Sequence, residues 1–307
     1  MRILLTGASS FTGLWFARAL HRAGHEVVAP LMRAQGEYEG LRGRRVSALA
    51  GVSEIIWECP FGGEKFLALA AQGKWDRLCH HAAQVGDYRS PDFDIQGAVA
   101  ANTHNLEAVL RAMKPQAVVI TGSVFEPDEG TGTLPLKSFS PYGTSKSLTA
   151  EAIRAACGKQ EIPLTKFTVP NPFGPYEEPR FCNYLMQCWF AGKPAAVKTP
   201  EYVRDNIHAS LLALCYVESV AMAGSAPFRK YNPSGYVETQ GAFAQRFARE
   251  IGRRLDLNCP LELAEQSEFA EPKIRVNTDK PDAEKLGWNE TAAWDELAAY
   301  YRAFRSS

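Results

Sequence analysis

The chain has 307 residues, of which 46% are hydrophobic and 22% charged, enough to bury a core in one large domain or two smaller ones. Its 34 basic and 34 acidic residues cancel, and they form neither the basic stripe of a nucleic-acid-binding protein nor a charged tail. No apolar run has the length of a membrane span or a signal peptide, and the seven cysteines lack the spacing of a zinc site. We therefore predict a cytoplasmic protein with reduced thiols, no bound metal, and no nucleic-acid or membrane partner.

The chain begins with the pattern of a strand, a glycine-rich turn and a helix. Residues 2–5 are a short apolar run, and apolar residues recur at helical spacing over residues 14–20. A turn between such elements places backbone N–H groups and a helix N-terminus against a pyrophosphate. Ser10 stands where a glycine is usual, so we expect it to crowd the phosphate. We predict that this turn binds a dinucleotide through Gly7, Ser9, Ser10, Phe11, Thr12 and Gly13.

The second predicted strand, residues 26–31, has no acid at its end. NAD-binding chains usually carry an acid there for the ribose 2′-OH, whereas this chain continues with Arg33. The guanidinium of Arg33 can meet a 2′-phosphate, or the residue is simply a solvated part of the surface. We predict NAD(P) as the cofactor, with a preference for NADP. Residues 40–45 are basic, and we predict that they form a loop.

Residues 54–57 and 78–81 are predicted as the third and fourth strands. The small residues that follow the fourth strand let the backbone approach a ligand, so we predict that His81, Ala82 and Ala83 contact the cofactor. A structural role at the strand end is the alternative to a catalytic role for His80 and His81. Residues 94–113 are predicted as one long helix with a continuous apolar face.

The fifth predicted strand, residues 117–121, is continuously apolar, as a central parallel strand should be. It places Thr121 and Ser123 at the carboxyl edge of the sheet, where ligands of open α/β sheets bind. A hydroxyl at that edge can hold a substrate oxygen. The alternative is that both hydroxyls satisfy backbone groups at the strand end.

A Tyr–Lys pair, Tyr142 and Lys146, stands at the start of an alanine-rich helical run. Residues four apart lie on one face of a helix, so both side chains can point into one cleft. A cation beside a phenol favours the phenolate and lowers its pKa, and such a tyrosine can exchange a proton with a carbinol. An ordinary surface pair is the alternative, because the spacing is common by chance.

The turn-rich stretch 170–175 follows a sixth predicted strand, residues 162–169, and the periodicity changes after it. We place a domain boundary between Val169 and Pro170. The prediction is an α/β protein with a doubly wound parallel, Rossmann-type sheet and a smaller C-terminal α/β lobe. The dinucleotide-binding domain is predicted to comprise residues 1–169 and 203–233, and the substrate-binding lobe residues 170–202 and 234–307.

Several features occur in a characteristic order: the glycine-rich first turn, His-Ala-Ala after the fourth strand, a hydroxyl after the fifth, the Tyr–Lys pair, and residues 171–175 followed by 204–208. Together they resemble the extended short-chain dehydrogenase/reductase superfamily, in its NAD(P)-dependent epimerase/dehydratase branch that acts on nucleotide sugars. The resemblance implies that Tyr142 is the acid/base and that Lys146 anchors the nicotinamide ribose. It selects Thr121 as the substrate hydroxyl, three residues before a Val-aromatic pair, with Ser123 as a second candidate.

The resemblance also assigns residues after the predicted domain boundary. It implies that Pro170 lies against the cofactor and that Asn171 and Arg204 face the diphosphate of a nucleotide sugar. The planar fork of an arginine suits that group. Relatives form dimers through helical faces that correspond to residues 94–113 and 147–156, so the resemblance also implies a homodimer.

The departures from the family pattern narrow the choice among the reactions that the family catalyses. The 4,6-dehydratases carry acids after the fifth strand, where this chain has Gly122 and Ser123, and no adenine-binding acid is evident near Cys59. The leading hypothesis is NAD(P)H-dependent reduction of a 4-keto nucleotide sugar. The alternatives are a nucleotide-hexose 4-epimerase, which uses the same residues, and a non-catalytic NAD(P)-binding regulatory module.

Overall fold

The computed structural model describes residues 1–127, 129–131 and 140–305. A short 3-10 helix at Gln35–Glu37 accompanies the helices and strands. In chain order, these are β1 (Arg2–Thr6), α1 (Phe11–Arg22), β2 (Glu26–Pro30), α2 (Gly40–Leu49), β3 (Glu54–Ile56), α3 (Glu64–Gln72), β4 (Arg77–His80), α4 (Ile95–Asn102), α5 (Leu106–Met113), β5 (Ala117–Ser123), α6 (Pro141–Lys159), β6 (Leu164–Val169), β7 (Asn171–Phe173), α7 (Phe181–Phe190), β8 (Ala195–Val197), β9 (Val203–His208), α8 (Ala209–Met222), β10 (Phe228–Tyr231), β11 (Tyr236–Thr239), α9 (Gln240–Leu255), β12 (Leu261–Leu263), β13 (Ile274–Arg275) and α10 (Glu290–Arg305).

The first of two compact units contains a parallel sheet. Within the described residues it has seven strands in the order β10-β6-β5-β4-β1-β2-β3, and every neighbouring pair is parallel. This order confirms the predicted doubly wound, Rossmann-type sheet. The described residues of this unit lie within Met1–Glu129, Lys137–Val169 and Ala213–Asn232.

Strand β5 lies inside this sheet because its side chains can be buried on both faces. Every residue from Ala117 to Ser123 is buried. Val118 and Ile120 belong to the core cluster that also contains the apolar face of α5. A continuous apolar run is the pattern that a strand covered on both faces requires. Because β5 is parallel to its neighbours β4 and β6, its last residues lie at the carboxyl edge of the sheet.

Two local predictions in this unit are wrong. Residues 94–113 form α4 and α5 rather than one helix, because Asn105 adopts a left-handed conformation, with φ +50°, and donates from Nδ2 to the carbonyl of Gly62 at 2.8 Å. Asparagine tolerates this conformation better than most residues, so it can interrupt an apolar pattern without strain. Residues 40–45 lie in helix α2, whose buried residues Val46 and Leu49 follow the basic stretch.

The second unit contains its own sheet and core. Strands β11, β9 and β13 are neighbours in that order, and β7 also pairs with β9, while β8 and β12 form a separate pair. Its described residues lie within Gly130–Leu136, Pro170–Leu212 and Pro233–Ser307. The largest core side chains are aromatic: Phe173, Trp189, Phe243, Phe247 and Trp294.

The return of the chain to the first unit differs from the prediction. We expected two pieces within residues 203–233 to return to the dinucleotide-binding domain. Strand β9, Val203–His208, pairs instead with β7, β11 and β13 of the second unit, and the first unit resumes at Ala213, inside α8. The apolar pattern of α8 spans the transition, so periodicity alone does not locate it.

All seven cysteines lie in the described part of the chain, and each has a free thiol. Among the helices of that part, none is long and apolar enough to cross a membrane.

Candidate functional site

The glycine-rich turn joins β1 to α1 and lies close to the end of β4. Gly7 has φ +73°, and a Cβ on it would lie 2.7 Å from the backbone nitrogen of Ala82. A Cβ on Gly13 would lie 2.2 Å from the carbonyl oxygen of Gly7, so both positions require glycine. The first-turn N–H groups of Phe11 and Thr12 have no intrahelical acceptor, and a helix N-terminus attracts anions. The residues of this turn fit the pyrophosphate of a dinucleotide.

Ser10 caps the helix that follows this turn. Its Oγ accepts a hydrogen bond from the Gly13 N–H at 3.1 Å and lies 3.1 Å from Nε2 of His81. The hydroxyl is therefore turned towards the protein, and our expectation that Ser10 crowds the phosphate is not supported. Ser9 is half-buried in the same turn.

The ends of β2 and β3 place a basic and an acidic residue side by side. Arg33 is exposed and accepts a backbone hydrogen bond from Glu58 at 3.2 Å, while its own N–H donates to Oη of Tyr38. Glu58 is also exposed, with φ +51°. The sequence argument missed this acid, although Glu58 directly precedes Cys59, the residue near which an adenine-binding acid was sought. The signal was the position of Glu58 at the end of a parallel strand.

His81 lies at the centre of a hydrogen-bond network. Its Nε2 is 3.1 Å from Oγ of Ser10 and 3.0 Å from Oγ1 of Thr12, and its Nδ1 is 3.0 Å from Oγ1 of Thr121. Burial, with smaller contributions from Lys146 and His80, lowers the pKa of His81 to about 3. The ring is therefore neutral at physiological pH. Ala82 and Ala83 follow it and are half-buried.

His80 has a structural environment. Its Nδ1 lies 3.0 Å from Oγ1 of Thr6 and its Nε2 lies 3.0 Å from the carbonyl oxygen of Asn102. Burial lowers the pKa of His80 to about 4, so it too is neutral. These contacts join β1, β4 and α4.

The two hydroxyls at the end of β5 differ in what they bind. Oγ1 of Thr121 contacts His81, and the Thr121 carbonyl accepts a hydrogen bond from Nζ of Lys146 at 2.6 Å. Oγ of Ser123 accepts a hydrogen bond from the Phe125 N–H at 3.2 Å. Within the described residues, the Ser123 O–H has no acceptor. Ser123 thus has an O–H that can donate to a ligand.

The Tyr–Lys pair lies in the first turns of α6. Ser140 caps this helix, Pro141 is its first residue, and Tyr142 and Lys146 follow one turn apart. The Tyr142 ring is surrounded by the rings of Tyr88, Phe93 and Phe125, with centroids 5.9, 5.9 and 6.4 Å away.

The ammonium of Lys146 is buried beside the end of β5. Burial is the main cause of its lowered pKa; Glu126 opposes the shift and Lys166 adds to it. The hydrogen bond from Nζ to the Thr121 carbonyl fixes α6 against β5. The predicted acid/base pair and the predicted hydroxyls are therefore brought to one edge of the sheet.

A buried ion pair fills the space beside Gly122. A Cβ there would lie 2.6 Å from Cε of Lys166 and 2.9 Å from Oε1 of Glu126. Lys166 donates to Glu126 and to Glu129, and Glu126 accepts a hydrogen bond from the Ser123 N–H at 2.8 Å. An acidic side chain at position 122 would therefore require this ion pair to move.

In the second unit, the predicted substrate residues bind their own chain. Nδ2 of Asn171 donates to the carbonyl of Asp205 at 3.3 Å. Nη1 of Arg204 is shared by the carbonyls of Val203, Pro272 and Lys273, and Nη2 donates to Glu271 at 3.0 Å. Pro170 is the residue that separates β6 from β7 along the chain, and it is buried. Both terminal nitrogens of Arg204 thus already donate hydrogen bonds to acceptors in this unit.

The described residues contain no group of three or more His, Cys, Asp or Glu side chains close enough to hold a metal ion.

Similar solved structures cover nearly the whole chain. The UDP-glucose 4-epimerase of Stenotrophomonas maltophila, solved with NAD, is 17% identical with a TM-score of 0.76 over 100% of both chains. The UDP-glucuronic acid 4-epimerase of Bacillus cereus is 18% identical, with a TM-score of 0.73 over 99% of this chain and 100% of the other. The dTDP-glucose 4,6-dehydratase of Streptomyces venezuelae is 17% identical, with a TM-score of 0.71 over 100% and 98%. At these identities the likeness establishes the fold.

No curated protein matches the chain in a sequence search. A family model, that of the NAD dependent epimerase/dehydratase family, matches residues 3–231. This match includes the glycine-rich turn, the end of β5 and the Tyr–Lys pair. Because it spans more than half of the sequence, the chain belongs to the NAD dependent epimerase/dehydratase family.

Proposed function

We propose that this protein is an NAD(P)H-dependent oxidoreductase that reduces the 4-keto group of a nucleotide-linked sugar. The observation that carries the proposal is the 2.6 Å hydrogen bond from Lys146 to the Thr121 carbonyl, which brings the start of α6 to the end of β5. This contact supports the proposal, because Tyr142 and Lys146, the proposed acid/base pair, and the Ser123 hydroxyl then lie at the edge where α/β sheets bind ligands. A binding module needs no such acid/base, which argues against the non-catalytic alternative.

Each of these side chains has one task in the proposed reaction. When bound, the nicotinamide ring supplies the hydride. The O–H of Ser123 donates a hydrogen bond to the keto oxygen, and Oη of Tyr142 transfers a proton to that oxygen. The cation of Lys146 favours the phenolate that Tyr142 becomes. Ser123 takes this task in the proposal, because its O–H has no acceptor among the described residues, and Thr121, which is held by the ring of His81, is assigned a positioning task.

Arg33 supports NADP(H) as the exchangeable cofactor. It is exposed directly after β2, where NAD-binding chains usually carry an acid. An arginine fork suits a 2′-phosphate, and a reductase must release its oxidised cofactor after each turnover.

A nucleotide-hexose 4-epimerase is the second candidate. The same tyrosine, lysine and serine serve oxidation and then reduction, and Glu58 supplies an acid at the end of β3 that favours a tightly held cofactor. Elimination of water is less well supported, because the ion pair between Lys166 and Glu126 fills the space beside Gly122 where a dehydratase acid would stand.

The retention of cofactor distinguishes these two reactions. We expect gently purified protein, once denatured, to release well under one cofactor per chain. We also expect stoichiometric loss of NAD(P)H absorbance when a 4-keto-6-deoxy nucleotide sugar is supplied. Near-complete occupancy by NAD, with interconversion of two nucleotide hexoses without added cofactor, would establish the epimerase instead.

We further propose that the protein acts in the cytoplasm as a homodimer, paired through the outer faces of α4, α5 and α6. This proposal rests on the family resemblance. Light scattering on the purified protein measures its mass, and a monomer at micromolar concentration would contradict it.

A further inference from the structure

A continuous path of hydrogen bonds joins the glycine-rich turn to Lys146. It begins at the hydroxyls of Ser10 and Thr12, which lie 3.1 and 3.0 Å from Nε2 of His81. It crosses the imidazole ring to Thr121, 3.0 Å from Nδ1, and continues from the Thr121 carbonyl to Nζ of Lys146 at 2.6 Å. One side chain, His81, therefore contacts both the turn that faces the phosphates and the strand end that holds the lysine.

We call the hydrogen bonds that run from Ser10 and Thr12 through His81 to Thr121 the bridge. The neutral state of the His81 ring suits this bridge. A neutral imidazole carries one N–H donor and one acceptor nitrogen. Ser10 Oγ already accepts from the Gly13 N–H, so its own O–H is available to donate to Nε2. With its proton on Nδ1, the ring accepts from Ser10 and Thr12 on one side and donates to Thr121 on the other. An ionised ring has no acceptor for the two turn hydroxyls.

The surroundings of His81 hold the ring in this orientation. Phe16 packs edge-on against it, with the ring centroids 5.0 Å apart. An apolar residue of similar size would satisfy this packing but would remove one hydrogen-bond partner from the half-buried hydroxyls of Ser10 and Thr12 and from the buried hydroxyl of Thr121, which is costly. The ring therefore contributes hydrogen bonding that packing alone does not require.

We propose that His81 is a positioning residue that couples occupation of the phosphate-binding turn to the position of Thr121 and Lys146. The proposal deepens the proposed function and rests on it for the identity of the cofactor. His81 contacts the hydroxyls of the turn and of β5, so it acts through them rather than on the reacting atoms. Binding of the cofactor phosphates then aligns the lysine that holds the nicotinamide ribose.

A double-mutant cycle on cofactor affinity tests this coupling without any sugar substrate. The Kd for NADPH, or for NADH if it binds more tightly, is measured for the wild type, His81→Leu, Thr121→Val and the double variant. We expect Thr121→Val to weaken binding about three- to tenfold in the wild type, the worth of one hydrogen bond, and by less than about twofold in His81→Leu. Equal factors in both backgrounds would overturn the proposal.

His80 provides the matched control. It is an adjacent buried histidine with two hydrogen bonds, but it contacts neither the turn hydroxyls nor Thr121. His80→Gln is expected to leave the full effect of Thr121→Val in place. If the Thr121→Val effect disappears in His80→Gln as well, the coupling reflects general loosening of the fold, and the proposal fails.

Two further substitutions separate the ends of the bridge. His81→Asn places an amide near the position of Nδ1 and can keep the contact with Thr121, whereas His81→Gln reaches towards the position of Nε2 and can keep the contacts with Ser10 and Thr12. We expect both variants to lose turnover at saturating cofactor, because each loses the contacts at one end and the proposed coupling requires both ends. Wild-type turnover in either variant would show that one contact suffices and would refute the bridge.

The outcomes remain distinct if a variant or the proposed function fails. If His81→Leu does not fold, Thr12→Val removes one contact of the bridge and takes its place in the cycle. If the wild type binds a nicotinamide cofactor but does not reduce a keto sugar, the proposed reaction is wrong, while the affinity cycle still decides the role of His81.

Discussion

The end of β5 and strand β9 both carry residues that the family pattern assigns to ligands, but their hydrogen-bonding states differ. At β5, the Ser123 O–H has no acceptor among the described residues, and Lys146 lies against the strand. At β9, Arg204 donates to three carbonyls and to Glu271 of its own unit. A motif thus predicts where a side chain stands, whereas the fold decides how many of its donors remain for a ligand.

The largest effect that the comparison predicts is at Tyr142, beside β5. Tyr142→Phe keeps the ring contacts and removes the proton donor, so we expect turnover to fall by roughly 10²- to 10⁴-fold with little change in cofactor affinity. Steady-state kinetics on the keto sugar measures this. Tyr88→Phe, which removes a hydroxyl from a neighbouring ring, is the control and should retain most activity. Near-normal turnover of Tyr142→Phe would show that Tyr142 is not the proton donor.

The second-largest effect is expected at the end of β5, where removal of the Ser123 hydroxyl and of the Thr121 hydroxyl should lower turnover to different extents. Ser123→Ala removes the O–H that is free to donate, so we expect turnover to fall about 10²-fold, the usual worth of one such donor. Thr121→Val should cost less than about tenfold at saturating cofactor, because its hydroxyl contacts His81. Ser123→Thr retains a hydroxyl and should restore part of the activity. A larger loss of turnover in Thr121→Val than in Ser123→Ala would support Thr121 as the substrate hydroxyl, as the family resemblance implies.

The choice of cofactor gives the third effect. Loss of one charge-assisted phosphate contact costs about 1.5–3 kcal/mol, so Arg33→Ala should weaken NADP(H) by about ten- to hundredfold and spare NAD(H). Titration of both cofactors measures this. Arg111→Ala removes another exposed arginine of the same unit and controls for net charge. Equal or tighter binding of NAD(H) by the wild type would contradict the preference.

The smallest effect on binding is expected at β9. Because Arg204 is bound within its own unit, Arg204→Met should change the KM of the sugar by less than about threefold and lower the free energy of unfolding by about 1–2 kcal/mol. Urea unfolding and kinetics measure the two quantities. Arg246→Met, which breaks an Arg–Glu pair of the same unit, is the matched control. A KM more than tenfold higher with unchanged stability would place Arg204 in the substrate site.

The sequence predicted the elements that follow from local patterns. The apolar run of β5 and the position of Tyr142 and Lys146 at the start of a helix are both visible in single stretches of sequence. The bridge at His81 is not, because its partners Ser10, Thr12 and Thr121 are distant in sequence and meet only in the folded sheet. The break at Asn105 was missed for a related reason, since the apolar pattern continues across it while its amide bonds Gly62.

The edge position of β10 affects how the chain folds during synthesis. The strand begins at Phe228, whereas its partner β6 ends at Val169, and the chain between them includes residues 170–212 of the second unit. A growing chain therefore exposes the hydrogen-bonding edge of β6 until β10 leaves the ribosome, and open strand edges promote aggregation. We expect ribosome-bound chains stopped shortly before residue 228, in which β6 has emerged without β10, to be cleaved readily by protease, and chains stopped well beyond residue 231 to resist it.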